Sequence, residues 1–232
     1  MKFLSSPRSL YNFLEKSFMP SCFFMVIIVI LSFYFAIFSS PEDYQQGDSV
    51  RIMYIHVPAS WMSLFIYLLM FISSFSLIIW RHPLMGILCR SLAPIGMIFT
   101  LISLITGSIW GRPVWGVWWV WDARLTSVLI LFFLYFGYIA LFDSFEDEKY
   151  GSRMGAFLCL IGAINLPIIK WSVVWWSTLH QPTSFKDFSS SIHIDMLIPL
   201  FLMFLAYFIY SWNILNLQLR MRLRQRLKKL GR

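Results

Sequence analysis

Two histidines have the chemistry and the setting of possible metal ligands, because each lies shortly before a proline in an apolar stretch. His56 occurs in M-Y-I-H-V-P and His180 in W-W-S-T-L-H-Q-P. Neutral imidazole binds iron, copper and zinc, and two histidines from distant segments can supply both axial ligands of a flat macrocyclic iron. The alternative is that both are interfacial side chains bonded to water or lipid headgroups. Their setting alone leaves both interpretations open.

A dense group of tryptophans occupies the stretch from Trp110 to Ser127, W-G-R-P-V-W-G-V-W-W-V-W-D-A-R-L-T-S, which holds five of the chain's 11 tryptophans. Indole suits a membrane interface, because its ring is apolar and its N–H needs a polar partner. That explanation fits the single tryptophans at predicted helix ends, Trp61, Trp80 and Trp212. It fits so dense a group poorly, which favours a flat aromatic surface for a flat ligand.

The spacing within this group bears on its local structure. In a helix, Trp115, Trp118 and Trp119 would share one face. Glycines and a proline argue against a long regular helix at the start of the stretch. We therefore predict a short amphipathic helix over 115–121 that lies in the membrane interface and turns its aromatic face to the membrane or to a ligand.

Charged residues border the tryptophans, and each has two interpretations. Asp122 directly precedes a predicted helix, where a carboxylate caps the first turn. It also lies within the tryptophan-rich stretch, where it could contact a ligand. Arg112 and Arg124 either bind ligand carboxylates through their two-pronged guanidinium groups or extend toward lipid headgroups. Lys170 has the same two interpretations.

The composition indicates a membrane protein. Of the 232 residues, 59% are hydrophobic and 13% are charged, against about 45–50% and about 25% in soluble domains. Because a spanning helix needs about 20 mostly apolar residues, we predict an all-α integral membrane protein with six transmembrane helices in one domain over 1–232. The predicted spans are 22–39, 59–80, 91–110, 125–142, 154–174 and 194–214, followed by a basic tail over 215–232. In the fifth span Pro167 should bend the helix, and Asn165 or a neighbouring helix should satisfy the carbonyl that this frees.

Basic residues set the predicted orientation. Most of the 19 lysines and arginines fall in the terminal segments and in loops two and four, so both termini are predicted to be cytoplasmic. Loops one, three and five then face outward and carry His56, the tryptophan group and His180. His193, at the outer start of the sixth helix, is interpreted as a structural or rim residue. The net charge of +8 is concentrated in the tail, which favours contact with an anionic leaflet over nucleic acid.

Several classes of function lack support. The three cysteines are scattered and odd in number, which disfavours a disulfide framework, a zinc site and a dithiol redox motif. The N-terminal segment does not have the pattern of a cleavable signal. The chain has no Walker P-loop, G-x-S-x-G or H-E-x-x-H motif, and no paired carboxylates within a predicted helix. We therefore do not expect it to be an enzyme.

Three motifs together resemble the CcmC family of haem exporter proteins, which handle haem in cytochrome c maturation. These are M-Y-I-H-V-P-A-S-W-M over 53–62, W-G-V-W-W-V-W-D-A-R-L-T-S over 115–127 and W-W-S-T-L-H-Q-P over 175–182. The second is similar to the tryptophan-rich "WWD" signature of haem-handling membrane proteins. The resemblance covers nearly the whole chain. The length of the chain favours this family over larger relatives with the same signature.

The resemblance implies that the protein presents haem at the outer face of the inner membrane. It implies that His56 and His180 are axial iron ligands. It places the haem platform at the tryptophan motif, whose residues are Trp115, Gly116, Trp118, Trp119, Trp121, Asp122 and Arg124. Expected partners are b-type haem, bound transiently, the haem chaperone CcmE, membrane lipid, and the subunits CcmA, CcmB and CcmD of an ABC transporter complex, with ATP hydrolysis in a partner chain. The expected location is a bacterial inner membrane, with a mitochondrial inner membrane as the alternative.

Two other functions remain as alternatives. A b-type cytochrome that exchanges electrons with a quinone usually has paired histidines within its spanning helices, whereas His56 and His180 are predicted at helix mouths. A purely structural subunit would use its tryptophans only as membrane anchors.

Overall fold

The computed structural model describes residues 7–176, 178–180, 185–186, 189–190 and 192–230. Its helices are α1 (Pro7–Tyr34), α2 (Met53–Trp80), α3 (Pro83–Trp115), α4 (Ala123–Asp143), α5 (Glu148–Gly162), α6 (Asn165–Trp175) and α7 (Ile194–Leu230). A π-helical segment, Phe35–Ser39, continues α1, and a 3₁₀ helix, Asp48–Ile52, leads into α2. Phe185–Lys186 and Ser189–Ser190 pair as a short antiparallel hairpin. Parts of the predicted motif over 175–182 (177, 181 and 182) and the chain ends 1–6 and 231–232 lie outside the described residues.

The all-α interpretation with six spans is confirmed for the described part of the chain. Six helical stretches are long and apolar enough to cross a membrane, and α5 and α6 together form the fifth. The chain is therefore a multi-pass membrane protein. Several predicted spans are longer in the structure: α1 begins at Pro7, α3 continues to Trp115, and α7 continues to Leu230. The basic tail is thus helical over its described residues.

The fifth span is interrupted at the place where the sequence predicts a bend. A turn over 163–164 separates α5 from α6, and Pro167 lies in the first turn of α6. Proline lacks an N–H and its ring clashes with the carbonyl four residues before it, so Pro167 favours a break at this place. Asn165 is buried, and its Nδ2 donates to the Ser127 carbonyl of α4 at 2.8 Å. This bond ties the start of α6 to α4. The carbonyl that Pro167 frees, that of Ala163, accepts from the Leu166 N–H at 3.1 Å, so the prediction that Asn165 or another helix satisfies it is wrong.

The main core lies between α2, α3 and α4, and α5 and α6 each add a buried residue. Tyr67 and Tyr135 meet edge to face with ring centroids 5.2 Å apart, and both are almost fully buried. The Tyr135 hydroxyl donates to the Ser63 carbonyl at 2.7 Å. Membrane helices associate through such close packing and hydrogen bonds between helices, because lipid provides no hydrophobic driving force. This core holds the ends of α2, α3 and α4 in fixed relative positions.

α1 and α7 form an antiparallel pair beside that core. Asn216 of α7 donates to the Leu14 carbonyl of α1 at 2.7 Å, and Arg220 lies 3.5 Å from Glu15. The start of α1 and the end of α7 therefore lie at one end of the bundle. The opposite end carries the starts of α2, α4 and α7, the ends of α3 and α6, and the loops with the predicted site residues.

Candidate functional site

A cavity of about 300 Å³ opens at the end of the bundle opposite the described chain ends. This volume lies at the lower end of the range for small-molecule sites, about 300–1,000 Å³. Its walls are mostly apolar and come from α2, α3, α4, α6 and α7. The predicted site residues that line it are His56, Trp115, Trp119, Arg124 and His180. The predicted residues outside its lining are Gly116, Trp118, Trp121 and Asp122.

His56 lies in the first turns of α2, and its ring is held against α3. Its Nδ1 is 3.0 Å from the Ser103 carbonyl and 3.2 Å from the Thr106 hydroxyl. Because a carbonyl only accepts, Nδ1 donates the proton in this bond, and Nε2 is the nitrogen with the lone pair. No hydrogen bond to Nε2 is formed by the described residues. Such a bond at one nitrogen fixes the tautomer and orientation of a metal-binding histidine.

Close packing also holds the His56 ring. A Cβ placed on Gly107 of α3 would come within 2.8 Å of the imidazole Cε1, so only glycine leaves room for the ring. On another side, Trp110 meets His56 edge to face, with ring centroids 5.7 Å apart and planes at 69°. The Trp110 indole N–H donates to Gln46 Oε1 of loop one at 2.9 Å.

His180 approaches the same cavity from loop five. The side chain is half-buried, and its ring centroid is 6.1 Å from that of Trp115. A local turn holds its backbone, since the His180 N–H donates to the Thr178 hydroxyl at 3.2 Å. The fold thus brings to one cavity two histidines that lie far apart in sequence.

The tryptophan group is not the interfacial helix predicted over 115–121, and that prediction is wrong. α3 continues to Trp115 and ends where Gly116 adopts a left-handed backbone with φ 79°, and residues 116–122 are non-helical. Only glycine adopts that conformation readily. The loop then folds back along α3, because Ser108 donates to the Trp118 carbonyl at 2.6 Å and the Arg112 guanidinium donates to the Gly116 carbonyl.

This folded loop divides the tryptophans into two sets. Trp115 and Trp119 are half-buried and line the cavity. Trp118 and Trp121 point outward and are 58% and 76% exposed. The Trp119 indole nitrogen is buried without a hydrogen-bond partner among the described residues. A buried N–H without a partner is uncommon and calls for an explanation such as a ligand or water.

The charged residues also divide. Arg124 lies in the first turn of α4, is half-buried, lines the cavity, and forms no ion pair within the described part of the chain. Lys170 of α6 lines the cavity too and is exposed. Arg112 instead bonds to its own loop. His193 is exposed, lies 3.4 Å from Asp195, and is absent from the cavity lining, in agreement with its interpretation as a rim residue.

Asp122 caps α4, as its position before the helix predicts. Its Oδ1 accepts from the Leu125 N–H at 2.7 Å. Its other carboxylate oxygen, Oδ2, is buried without a partner among the described residues.

Comparison with known proteins shows the family of this chain. Residues 1–231 match the family model described as "Heme exporter protein C". The chain belongs to the CcmC family. A "Heme exporter protein C" of Bradyrhizobium diazoefficiens is 53% identical over 169 residues, 72% of this chain and 64% of that protein. The protein of that name from Escherichia coli K12 is 49% identical over 156 residues, 67% of this chain and 64% of that protein. The chain thus spans just under two thirds of the length of these two relatives.

A relative from a plant organelle belongs to the same group. The "Putative cytochrome c biosynthesis ccmC-like mitochondrial protein" of Marchantia polymorpha is 49% identical over 187 residues, 81% of this chain and 78% of that protein. CcmC-like proteins are therefore found in both bacteria and mitochondria.

In this CcmC family member, the sequence patterns did not identify every residue of the cavity. Trp61 fits a single membrane anchor by its position, but it lines the cavity and packs on Phe201 and Phe204 of α7 at 5.9 and 5.6 Å. Gln46 and Gly107 also line it. A glycine facing a histidine across two helices gives no signal in one sequence, since only the packing of α2 on α3 brings them together.

Proposed function

We propose that this protein binds haem in the outward-facing cavity and delivers it for cytochrome c biogenesis. The observation that carries the proposal is that His56 and His180 line one cavity together with four tryptophans and Arg124. Imidazole nitrogen, aromatic ring faces and a cation match the three chemical parts of haem, namely its iron, its flat macrocycle and its propionates.

Haem fits the described residues, because the cavity offers imidazole nitrogens for the iron and polar groups that have no partner among these residues. His56 keeps Nε2 for the iron, because its Nδ1 is engaged with Ser103, and His180 reaches the same cavity from loop five. The buried Trp119 N–H without a partner and the guanidinium of Arg124 suit a ligand that carries carboxylates. We assign the propionates to Arg124, with Lys170 as a second cation at the rim.

The other residues of the tryptophan motif have different roles in this proposal. Gly116 ends α3 and Asp122 begins α4, so both set the path of the loop that carries Trp119. Trp118 and Trp121 are largely exposed, so they contact only the part of a haem that protrudes from the cavity, or a partner that removes it. A cavity with an exposed aromatic border suits a protein that must release its haem.

The proposal includes hand-off to the haem chaperone CcmE within a complex of CcmA, CcmB and CcmD. The protein itself is not an enzyme in this scheme, and ATP is hydrolysed by a partner chain. The location is a bacterial inner membrane or a mitochondrial inner membrane. Family membership supports these assignments, and purification of the complex with measurement of haem on CcmE tests them.

The central test is the haem spectrum of the full-length chain purified in detergent. His56→Ala/His180→Ala should lose the low-spin spectrum of bis-histidine haem, and added imidazole should partly restore it. His193→Ala is the matched control, because His193 is outward and exposed but absent from the cavity lining, and it should keep the wild-type spectrum. An unchanged low-spin spectrum in the double variant would show that these histidines are not the ligands.

A further inference from the structure

Loop one contains a rigid turn that fixes one glutamine beside the cavity. The Asp43 carboxylate accepts from the backbone N–H groups of Gln45 and Gln46, both at 2.9 Å. The Gly47 N–H donates to the Asp43 carbonyl at 2.8 Å, and Gly47 has a positive φ of 55°, which glycine tolerates best. The backbone of Gln46 is therefore held by a turn in which aspartate and glycine both have defined roles.

The Gln46 side chain connects this turn to His56 through one aromatic ring. Its Oε1 accepts from the Trp110 indole N–H at 2.9 Å. The same indole packs edge to face against His56, with 5.7 Å between the ring centroids. Gln46 lines the cavity and is partly buried, so its bond to Trp110 is only partly open to water.

The hydrogen bond to Ser103 and the packing on Trp110 constrain the imidazole of His56 in different ways. The bond from Nδ1 to the Ser103 carbonyl at 3.0 Å fixes the tautomer, because it requires the proton on Nδ1. The Trp110 ring, at 69° to the imidazole plane, limits the tilt. An axial ligand needs its Nε2 lone pair aimed at the metal, so both the tautomer and the tilt affect ligation.

We propose that Gln46 is a positioning residue for His56 that acts by holding Trp110 in place. The proposal rests on the proposed function, in which His56 ligates haem iron. It assigns a role to loop one, whose polar stretch over 43–48 had no functional interpretation from the sequence. Gln46 is not assigned as a haem ligand.

The test measures how fast exogenous imidazole displaces the protein ligand from the haem-loaded full-length chain. Gln46→Leu removes the acceptor and should speed displacement about 2- to 10-fold, the range expected for loss of one hydrogen bond. Gln46→Glu keeps an acceptor oxygen and should stay within twofold of wild type. Gln45→Leu is the matched control, because the neighbouring Gln45 side chain is exposed, and it should leave the rate unchanged.

A double-variant cycle tests whether the effect passes through the indole. Trp110→Phe removes the donor but keeps an aromatic ring, so adding Gln46→Leu to it should change the rate less than twofold. If Gln46→Leu has its full effect in the Trp110→Phe background, or no effect in the wild-type background, the proposed route through Trp110 is wrong.

A haem-free measurement separates this proposal from the proposed function. In the chain labelled with ¹⁵N-tryptophan, Trp110→Phe identifies the Trp110 indole signal, and Gln46→Leu should shift that signal upfield. If the wild-type chain binds haem but Gln46→Leu leaves the Trp110 indole signal unmoved, only the role of Gln46 is overturned. A wild-type chain that binds no haem would overturn the proposed function, whatever the indole signal does.

Discussion

The His56 ring lies so close to α3 that the helix has no room for a side chain at Gly107, and this contact gives a sharp test at the scale of one residue. A Cβ there would be 2.8 Å from Cε1 and 3.3 Å from Nδ1 of the imidazole. The ring is also bonded to the α3 backbone. Gly107→Ala should therefore push the ring away from the Ser103 carbonyl and lower the haem retained per chain at least several-fold.

The control for that change is a second helical glycine with space around it. At Gly137 of α4 an added Cβ would make ordinary contact, with its nearest neighbour 3.4 Å away on Leu158. Gly137→Ala should retain wild-type haem, and both variants should keep the wild-type helical circular dichroism. Equal haem retention in Gly107→Ala and wild type would contradict the placement of His56 as a ligand.

Arg124 is a half-buried cation of the cavity and forms no ion pair with the described residues. If its guanidinium meets a propionate, the wild-type chain should bind haem more tightly than the dimethyl ester of haem. Arg124→Gln should abolish this preference, because only the carboxylate form forms charge-assisted bonds. Competition between the two porphyrins, followed by absorbance, measures the ratio. A preference that persists in Arg124→Gln would assign the propionates elsewhere, with Lys170 the next residue to change.

At the scale of elements, the loop between α3 and α4 depends on its two ends more than on a helix of its own. Gly116 ends α3 in a left-handed conformation, and Asp122 starts α4 by capping Leu125. Between them the chain has no regular structure, so the positions of Trp118 and Trp119 follow from these two anchors and from Ser108.

This arrangement separates the two interpretations of Asp122. Asp122→Ala should remove the cap and destabilise the protein by about 0.5–2 kcal/mol. Asp122→Ser restores an N-cap oxygen without a carboxylate, so it should recover thermal stability, and we expect haem binding to recover with it. Thermal unfolding and haem retention of the two variants provide the measurement. If Asp122→Ser recovers thermal stability but not haem binding, the carboxylate instead contacts the ligand directly.

The same loop shows what sequence patterns can and cannot predict. Apolar runs predict six spans because lipid demands about 20 apolar residues in each, and Pro167 predicts a bend in the fifth because proline acts on its own helix. The prediction of a helix over 115–121 is wrong, because helical spacing of tryptophans does not require a helix. Gly116, whose carbonyl is bonded to Arg112, ends α3 before such a helix can form. The sequence patterns do not place Gln46, Trp61 or Gly107 at the cavity, since their contacts join elements distant in sequence.

At the scale of the whole molecule, the antiparallel pairing of α1 with α7 and the position of the cavity predict which groups face each side of the membrane. With Cys22, Cys89 and Cys159 replaced by alanine, a cysteine at Tyr44, which is 91% exposed, should react with a membrane-impermeant maleimide in intact cells. A cysteine at Glu146, which is exposed on the loop between α4 and α5, should react only after permeabilisation. Labelling of the loop-four cysteine in intact cells, with protection of the loop-one cysteine, would reverse the orientation and place the cavity on the cytoplasmic side, where it could not deliver haem outward.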